Sequence, residues 1–143
     1  MQDLDLAKKH LYCEELTLVI AKDEQVIYQT NSHRISGFIR AIETLGMQLK
    51  GASVADRVAG KALALLCVYA GISNVYAEVL SRKAQKIFEE NNVSFQWQQL
   101  VDNVLDLNKT GVCPFEKTAT LISDPQDSYV AFKALLEKMK ACK

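Results

Sequence analysis

Two short stretches hold the residues best suited to chemistry. The first, Gly51-Ala52-Ser53-Val54-Ala55-Asp56-Arg57-Val58-Ala59-Gly60-Lys61-Ala62, sets a serine three positions before an aspartate and then two cations four apart. The second, Thr110-Gly111-Val112-Cys113-Pro114-Phe115-Glu116-Lys117, puts a cysteine directly before a proline, with a glutamate three positions on. Ser53-x-x-Asp56 matches a helix capping signature, which predicts a helix running from Ser53 to Ala70. Arg57 and Lys61 would then share one face of its first turns. Like charges one turn apart repel, and cations oppose the dipole at a helix start, each by about 0.3 to 1 kcal/mol. Gly60 would add about 1 kcal/mol relative to alanine. An anion at the helix start, a phosphate or a carboxylate, makes sense of all three choices. The alternative is that both cations are solvated and Gly60 simply lets another helix pack closely.

In the second stretch, proline suits the first helical position, because its missing N–H has no intrahelical acceptor to lose. Cys113 is then the capping residue, and Glu116 stands where its carboxylate can answer the cap's own N–H. A thiol at the positive end of a helix is biased toward thiolate, while a nearby glutamate works against that bias. Cys113 is therefore either a functional thiol or an inert capping residue. The other reactive types carry less. Cys67 falls in the most apolar segment and reads as core, and Cys142 lies next to the end. His10 and Cys13 provide two potential ligands, too few for a zinc site. His33 lies in a loop, and Tyr76 and Trp97 read as strand packing. Nucleophile elbows, glycine-rich dinucleotide turns and paired carboxylates are absent from the sequence.

These residues need a scaffold, and 143 residues suffice for one domain with its own core. Hydrophobic content of 49% and charged content of 24% are ordinary globular values. Seventeen basic residues balance seventeen acidic ones, so no global field favours nucleic acid or an anionic membrane. The opening MQDLDLAKKH lacks the apolar core of a secretion signal, and the longest apolar run, Ala62 to Ala70, is too short to span a bilayer. Four dispersed cysteines suggest reduced thiols, which together predict a cytoplasmic protein.

Leu4, Ala7 and Leu11 recur at helical spacing over residues 3–13. Leu16 to Ala21 and Gln25 to Thr30 flank Lys22-Asp23-Glu24 as a hairpin. Ile35, Phe38, Ile39, Ile42 and Leu45 line one face of a helix that Gly46 can cap, and Gly71 stops the apolar helix that follows. Val75 to Leu80 and Ser94 to Gln98 read as strands, with a helix from Ser81 to Glu90 between them. A polar helix or turn over 100–107, a loop over 108–112, a helix from Pro114 and a terminal helix from about Ser128 to Ala141 complete the chain. The pattern predicts an α/β fold, a three-layer α/β/α sandwich with a mixed sheet opened by a β-hairpin. Ligands in such sheets sit beyond the carboxyl ends of strands, where helix starts gather.

The run Ser53 to Ala62, the strand end Val79-Leu80-Ser81 and Cys113-Pro114-Phe115-Glu116, taken in order, resemble a prokaryotic domain-of-unknown-function family assigned a cytidine deaminase-like fold. The resemblance covers residues 15–122 or so, leaving 1–14 and 123–143 as added helices on a single domain. It implies a mixed sheet with helices on both faces. Zinc deaminases open one helix with His or Cys near Glu and the next with P-C-x-x-C. At the equivalent helix starts this chain offers Asp56-Arg57 to Gly60-Lys61, and Leu80-Ser81-Arg82-Lys83. Neither makes a zinc set, and Cys113-Pro114 reverses the deaminase order without a second cysteine. No metal and no cofactor are therefore expected, and without zinc no hydroxide is generated for hydrolytic deamination.

The leading expectation is a metal-free pocket for a small anionic molecule such as a nucleotide or phosphorylated metabolite. Ser53, Arg57, Gly60, Ser81 and Glu116 would bind it, with Asp56, Lys61 and Cys113 as candidate catalytic groups. A non-catalytic regulatory or interaction domain is the alternative, and a thiol or sulfur-transfer protein using Cys113 a second. Neither nucleic acid nor membrane is expected as a partner, and self-association is left open.

Overall fold

The structure, a computed structural model, describes residues 2–32, 35–102 and 114–141. The expected hairpin is present as β1 (Leu18–Lys22) and β2 (Gln25–Thr30), paired antiparallel with an irregularity between Ile20 and Ala21. Its two-residue turn places Asp23 and Glu24 at positive φ, the conformation whose twist matches the flanking strands. Neither residue is glycine, and their amides instead donate to the carboxylate of Asp3, at 3.1 and 2.8 Å. Asp3 belongs to α1 (Gln2–Cys13), where Leu4, Ala7 and Leu11 are buried as their spacing predicts. Helix α2 (Ser36–Leu45) buries Phe38 and Ile39, and the Gly46 amide closes it on the Ile42 carbonyl. A 3₁₀ turn, Gly46–Leu49, follows.

The largest departure from the sequence reading comes next. The helix expected from Ser53 is two elements, β3 (Ser53–Ala59) and α3 (Lys61–Ala70). Strand β3 runs antiparallel to β1, with Leu18 opposite Asp56, and parallel to β4 (Asn74–Ser81), with Ala59 opposite Leu80. Side chains alternate across a strand, so Val54 joins the larger core while Ala55 joins the smaller one under α1. The Ser53-x-x-Asp56 spacing is therefore not a helix cap. Ser53 Oγ accepts from Asn74 Nδ2 at 3.2 Å, and Asp56 Oδ1 accepts from the Val58 amide at 3.1 Å.

Helix α3 begins at Lys61 and is buried from Ala62 through Cys67. Gly71, in the left-handed region at φ +80°, ends it, its amide reaching the Cys67 and Val68 carbonyls. Helix α4 (Arg82–Glu90) and strand β5 (Ser94–Val101) follow, the latter parallel to β4 and three residues longer than expected. The sheet order is β2-β1-β3-β4-β5. On one face lies α1; α2, α3 and α4 cover the other, with α5 (Pro114–Ala119) and α6 (Pro125–Ala141) packed on α3. This is the three-layer α/β/α sandwich with a hairpin-opened mixed sheet. Phe115 and Phe132 seat the last two helices edge to face, their ring centroids 6.2 Å apart. The polar segment expected over 100–107 starts inside β5, and its residues 103–107 lie outside the described residues. Helix α6 starts at Pro125, ahead of the expected Ser128.

Moving Arg57 onto a strand changes its role. It is on the α1 face, one residue out of phase with Asp56, and its guanidinium donates to the carbonyls of Leu16 (2.9 Å) and Leu11 (3.0 Å). It also meets Glu78 at 3.3 Å and lies over the Tyr12 ring, 4.6 Å from its centroid. The Tyr12 hydroxyl shares hydrogen bonds with Tyr76 and Glu78, and burial with these partners raises its pKa. Arg57 thus ties the C-terminal end of α1 to the sheet. Arg57→Ala is expected to destabilise the fold by about 2 kcal/mol, read as a lower midpoint in urea unfolding.

Candidate functional site

With β3 ending at Ala59, the chain turns at Gly60 directly into α3, and the first amides of that helix need acceptors. A side chain 55 residues further on supplies them. Glu116 Oε1 accepts from the Lys61 amide at 2.8 Å and Oε2 from the Ala62 amide at 2.7 Å. The sequence reading had this carboxylate answering Cys113 within its own helix; instead it crosses from α5 to cap α3. The group that meets the α3 amides is thus a carboxylate of the protein's own. Glu116 is only 7% exposed. Burial pushes its carboxyl above the usual range, while the amides of Ala62 and Lys61 and the charges of Lys83 and Lys61 pull it back.

Gly60 takes an extended conformation open to any residue, at φ −103° and ψ −174°. What demands glycine is space, because an added Cβ would collide with the Glu116 carboxylate. Glycine here allows the close approach that the sequence suggested, with Glu116 as the approaching group.

Ser81 caps α4, its buried Oγ accepting from the Ala84 amide at 3.1 Å. The first turn of α4 has no acidic residue and holds Arg82 and Lys83. Arg82 pairs with Asp102 at 2.9 Å. Lys83 has no ion pair among the described residues, and nor do Lys61 or Lys86, which lies one turn beyond Lys83. These three lysines line a cleft of about 480 Å³ between α4 and the α3 start. Thr120 and Ser123, from the segment joining α5 to α6, and Glu90 border it as well. Cations at two helix starts, each opposing a dipole, form an electropositive recess relieved within the protein chiefly by Glu116.

Of the expected site residues, Lys61 lines this cleft, while Glu116, Gly60 and Ser81 build the two helix starts behind it. Ser53 and Arg57 do not gather there. Ser53 sits at the opposite end of β3 and Arg57 on the far face of the sheet. Asp56 lies on the α3 side of β3 and is not among the lining residues. Burial raises its carboxyl to about 7, against the amides of Val58 and Arg57 and the Arg57 charge. Burial and the Asp56 charge also push up the thiol of Cys67, which is fully buried. Cys113 and His33 lie outside the described residues. Lys83 and Lys86 were missed by the sequence reading. Their i,i+3 spacing, beginning in an acid-free first turn, was the available signal.

Among the described residues no group of three or more His, Cys, Asp or Glu is placed to hold a metal ion, and no helix is long and apolar enough to cross a membrane.

The fold and these two capped helix starts describe a three-layer α/β/α domain on a mixed five-stranded sheet. The chain belongs to the DUF1893 family, a domain of unknown function, whose pattern matches residues 6–138 and so includes much of α1 and α6. Its fold is shared with a crystal structure of a DUF1893 family protein from Thermotoga maritima, at a TM-score of 0.83 and 24% identity over 95% of this chain and 89% of that one. RibD of Acinetobacter baumannii in its form 1 aligns at a TM-score of 0.49 and 20% identity, over 68% of this chain and 33% of that one. A search of curated proteins finds no match.

Two outcomes test the site's construction. Gly60→Ala should displace Glu116 and cost about 2 kcal/mol; once Glu116 is already alanine, the same change should cost much less, a coupling that a double-mutant cycle measures. For Asp56 the sign follows from its raised pKa. Between the unfolded value near 3.8 and the folded value near 7 the native state holds the extra proton, so this group's contribution falls as pH rises through that window. Asp56→Asn should therefore flatten the fall in urea midpoint between pH 5 and pH 8.

Proposed function

We propose that this protein binds a small anionic ligand, a phosphorylated metabolite or a nucleotide, in the cleft between α3 and α4. One observation carries the reading: Lys61 and Lys83, in the first turns of two helices, and Lys86, one turn further along α4, line the same cleft with no ion pair to any described residue. Placing cations at the positive ends of two helices costs stability that an opposite charge returns. A volume of about 480 Å³ is within the range of small-molecule sites. The reading is one of binding. Asp56, expected with Lys61 as a candidate catalytic group, is not among the residues lining the cleft, so no reaction is assigned.

The test is thermal unfolding of the whole chain across nucleotides, sugar phosphates and inorganic phosphates. A ligand at 100 times its Kd should stabilise the fold by about 2.7 kcal/mol. Measured against each variant's own ligand-free melting temperature, Lys61→Ala and Lys83→Ala should lose most of the shift, whereas Arg57→Lys should keep it. Absence of any stabilising anion would overturn the proposal.

A further inference from the structure

Strand β5 ends the sheet, and among the described residues no strand pairs with its outer side. An edge strand leaves a row of amides and carbonyls pointing away from the sheet, and proteins blunt that row with charge, proline or bulges. Strand β5, Ser94-Phe95-Gln96-Trp97-Gln98-Gln99-Leu100-Val101, has no charged residue and no proline, and it keeps one register against β4. The other edge, β2, is shorter and pairs irregularly with β1 between Ile20 and Ala21. In the middle of the open edge stands Trp97, the chain's single tryptophan, 43% exposed.

Gln96 accepts from Lys8 of α1 and stands beside Tyr76, so it faces the α1 layer, and alternation turns Phe95 and Trp97 toward the layer of α4. Phe95 meets Phe88 of α4, their ring centroids 5.8 Å apart, and Arg82 at the start of α4 reaches Asp102, just past β5, at 2.9 Å. Helix α4 therefore runs antiparallel to β5, with Trp97 beneath its length. Two sides of this helix are already assigned. Ala84 and Phe88 enter the core, and Lys83, Lys86 and Glu90 line the cleft. Arg82, Gln85 and Glu89, at i, i+3 and i+7, make up the third side, which is turned toward the open edge. Arg82 and Glu89 are exposed, so this side carries a cation at one end and an anion at the other.

We infer that a second copy of this chain adds to the β5 edge about a twofold axis, joining the two sheets into one. Strand β5 meets its copy antiparallel and centred on Trp97, which faces the partner subunit's Trp97, while Gln96 faces the partner subunit's Gln98. Directly opposite residues of an antiparallel pair share a face, so both indoles are buried on the α4 side. Because α4 packs on β4 and β5 together, its copy lies about two strand spacings away, roughly 10 Å, a distance at which helices pack. The twofold reverses one helix against the other and brings Arg82 to the partner subunit's Glu89. The order Arg82, Gln85, Glu89 is complementary to its own reverse, which is what selects a second copy as the occupant. No like charges meet along the strands, since β5 carries none.

The experiment is sedimentation of the whole protein from about 1 μM to about 0.5 mM, with tryptophan emission recorded over the same range. A dimer is expected. Because Trp97 is the single indole, emission should shift to the blue over the concentrations at which the mass doubles. Trp97→Glu, which sets two carboxylates at the twofold, should raise the dimer Kd roughly thirtyfold or more. Arg82→Glu and Glu89→Arg should each weaken the dimer severalfold, and the two together should recover most of the loss. These exposed helix positions carry the test if Trp97→Glu does not fold. A monomer throughout the range, a dimer whose tryptophan emission is unchanged, a folded Trp97→Glu dimer as tight as the native one, or a double variant no tighter than the single ones would each overturn the inference.

Discussion

The bidentate grip of the Glu116 carboxylate on the first two amides of α3 is the interaction around which this side of the molecule is arranged. Helix α3 is the central helix of its layer, buried along most of its length, and its first amides point where solvent cannot satisfy them fully. A charge-assisted acceptor is stronger there than a neutral one. Because the acceptor comes from α5, the cap is also a tertiary tie, holding the last two helices against α3. It dictates glycine at position 60, since any side chain would occupy the volume of the carboxylate. It also places a buried negative charge among Lys61 and Lys83, which lowers the cost of two cations at helix starts.

The sheet separates two sets of charges that look contiguous in the chain. Arg57 and Lys61 are four residues apart, yet the strand carries Arg57 to the α1 face and the helix start carries Lys61 to the cleft. On the α1 face the guanidinium is consumed by two carbonyls, Glu78 and the Tyr12 ring, an inventory that leaves little for a ligand. On the other side the ammonium groups of Lys61, Lys83 and Lys86 keep no ion-pair partner among the described residues. Basic residues from the same short stretch thus serve stability on one face and an electropositive recess on the other.

Reading Ser53 to Ala70 as one helix failed for an identifiable reason. Ser-x-x-Asp is a local signature, and the residues after it are small and apolar enough for either period. What decides for a strand is its neighbours: β1 pairs on one side and β4 on the other, so β3 completes its hydrogen bonds laterally. Both neighbours are distant in sequence, and pairing of this kind overrides weak local preference. The error also placed the helix start at Ser53, whereas α3 begins at Lys61. Lys83 and Lys86 were passed over because their importance comes from facing Lys61 across a cleft, a relation between α3 and α4.

By itself the sequence determined whatever depends on neighbours a few residues apart. The hairpin, the buried stripes of α1 and α2, the glycine stops at 46 and 71, the β4-α4 unit and the α/β layering all follow from period, turn chemistry and capping over one or two turns. It also pointed to Gly60 and Glu116 as residues under constraint, because glycine before a helix and glutamate after Cys-Pro are marked choices. Only the tertiary structure decided that these two constraints are one contact, and that Arg57 faces away from it. The reason is that a carboxylate and the amides it caps need proximity in space, and here 54 and 55 residues of chain separate them.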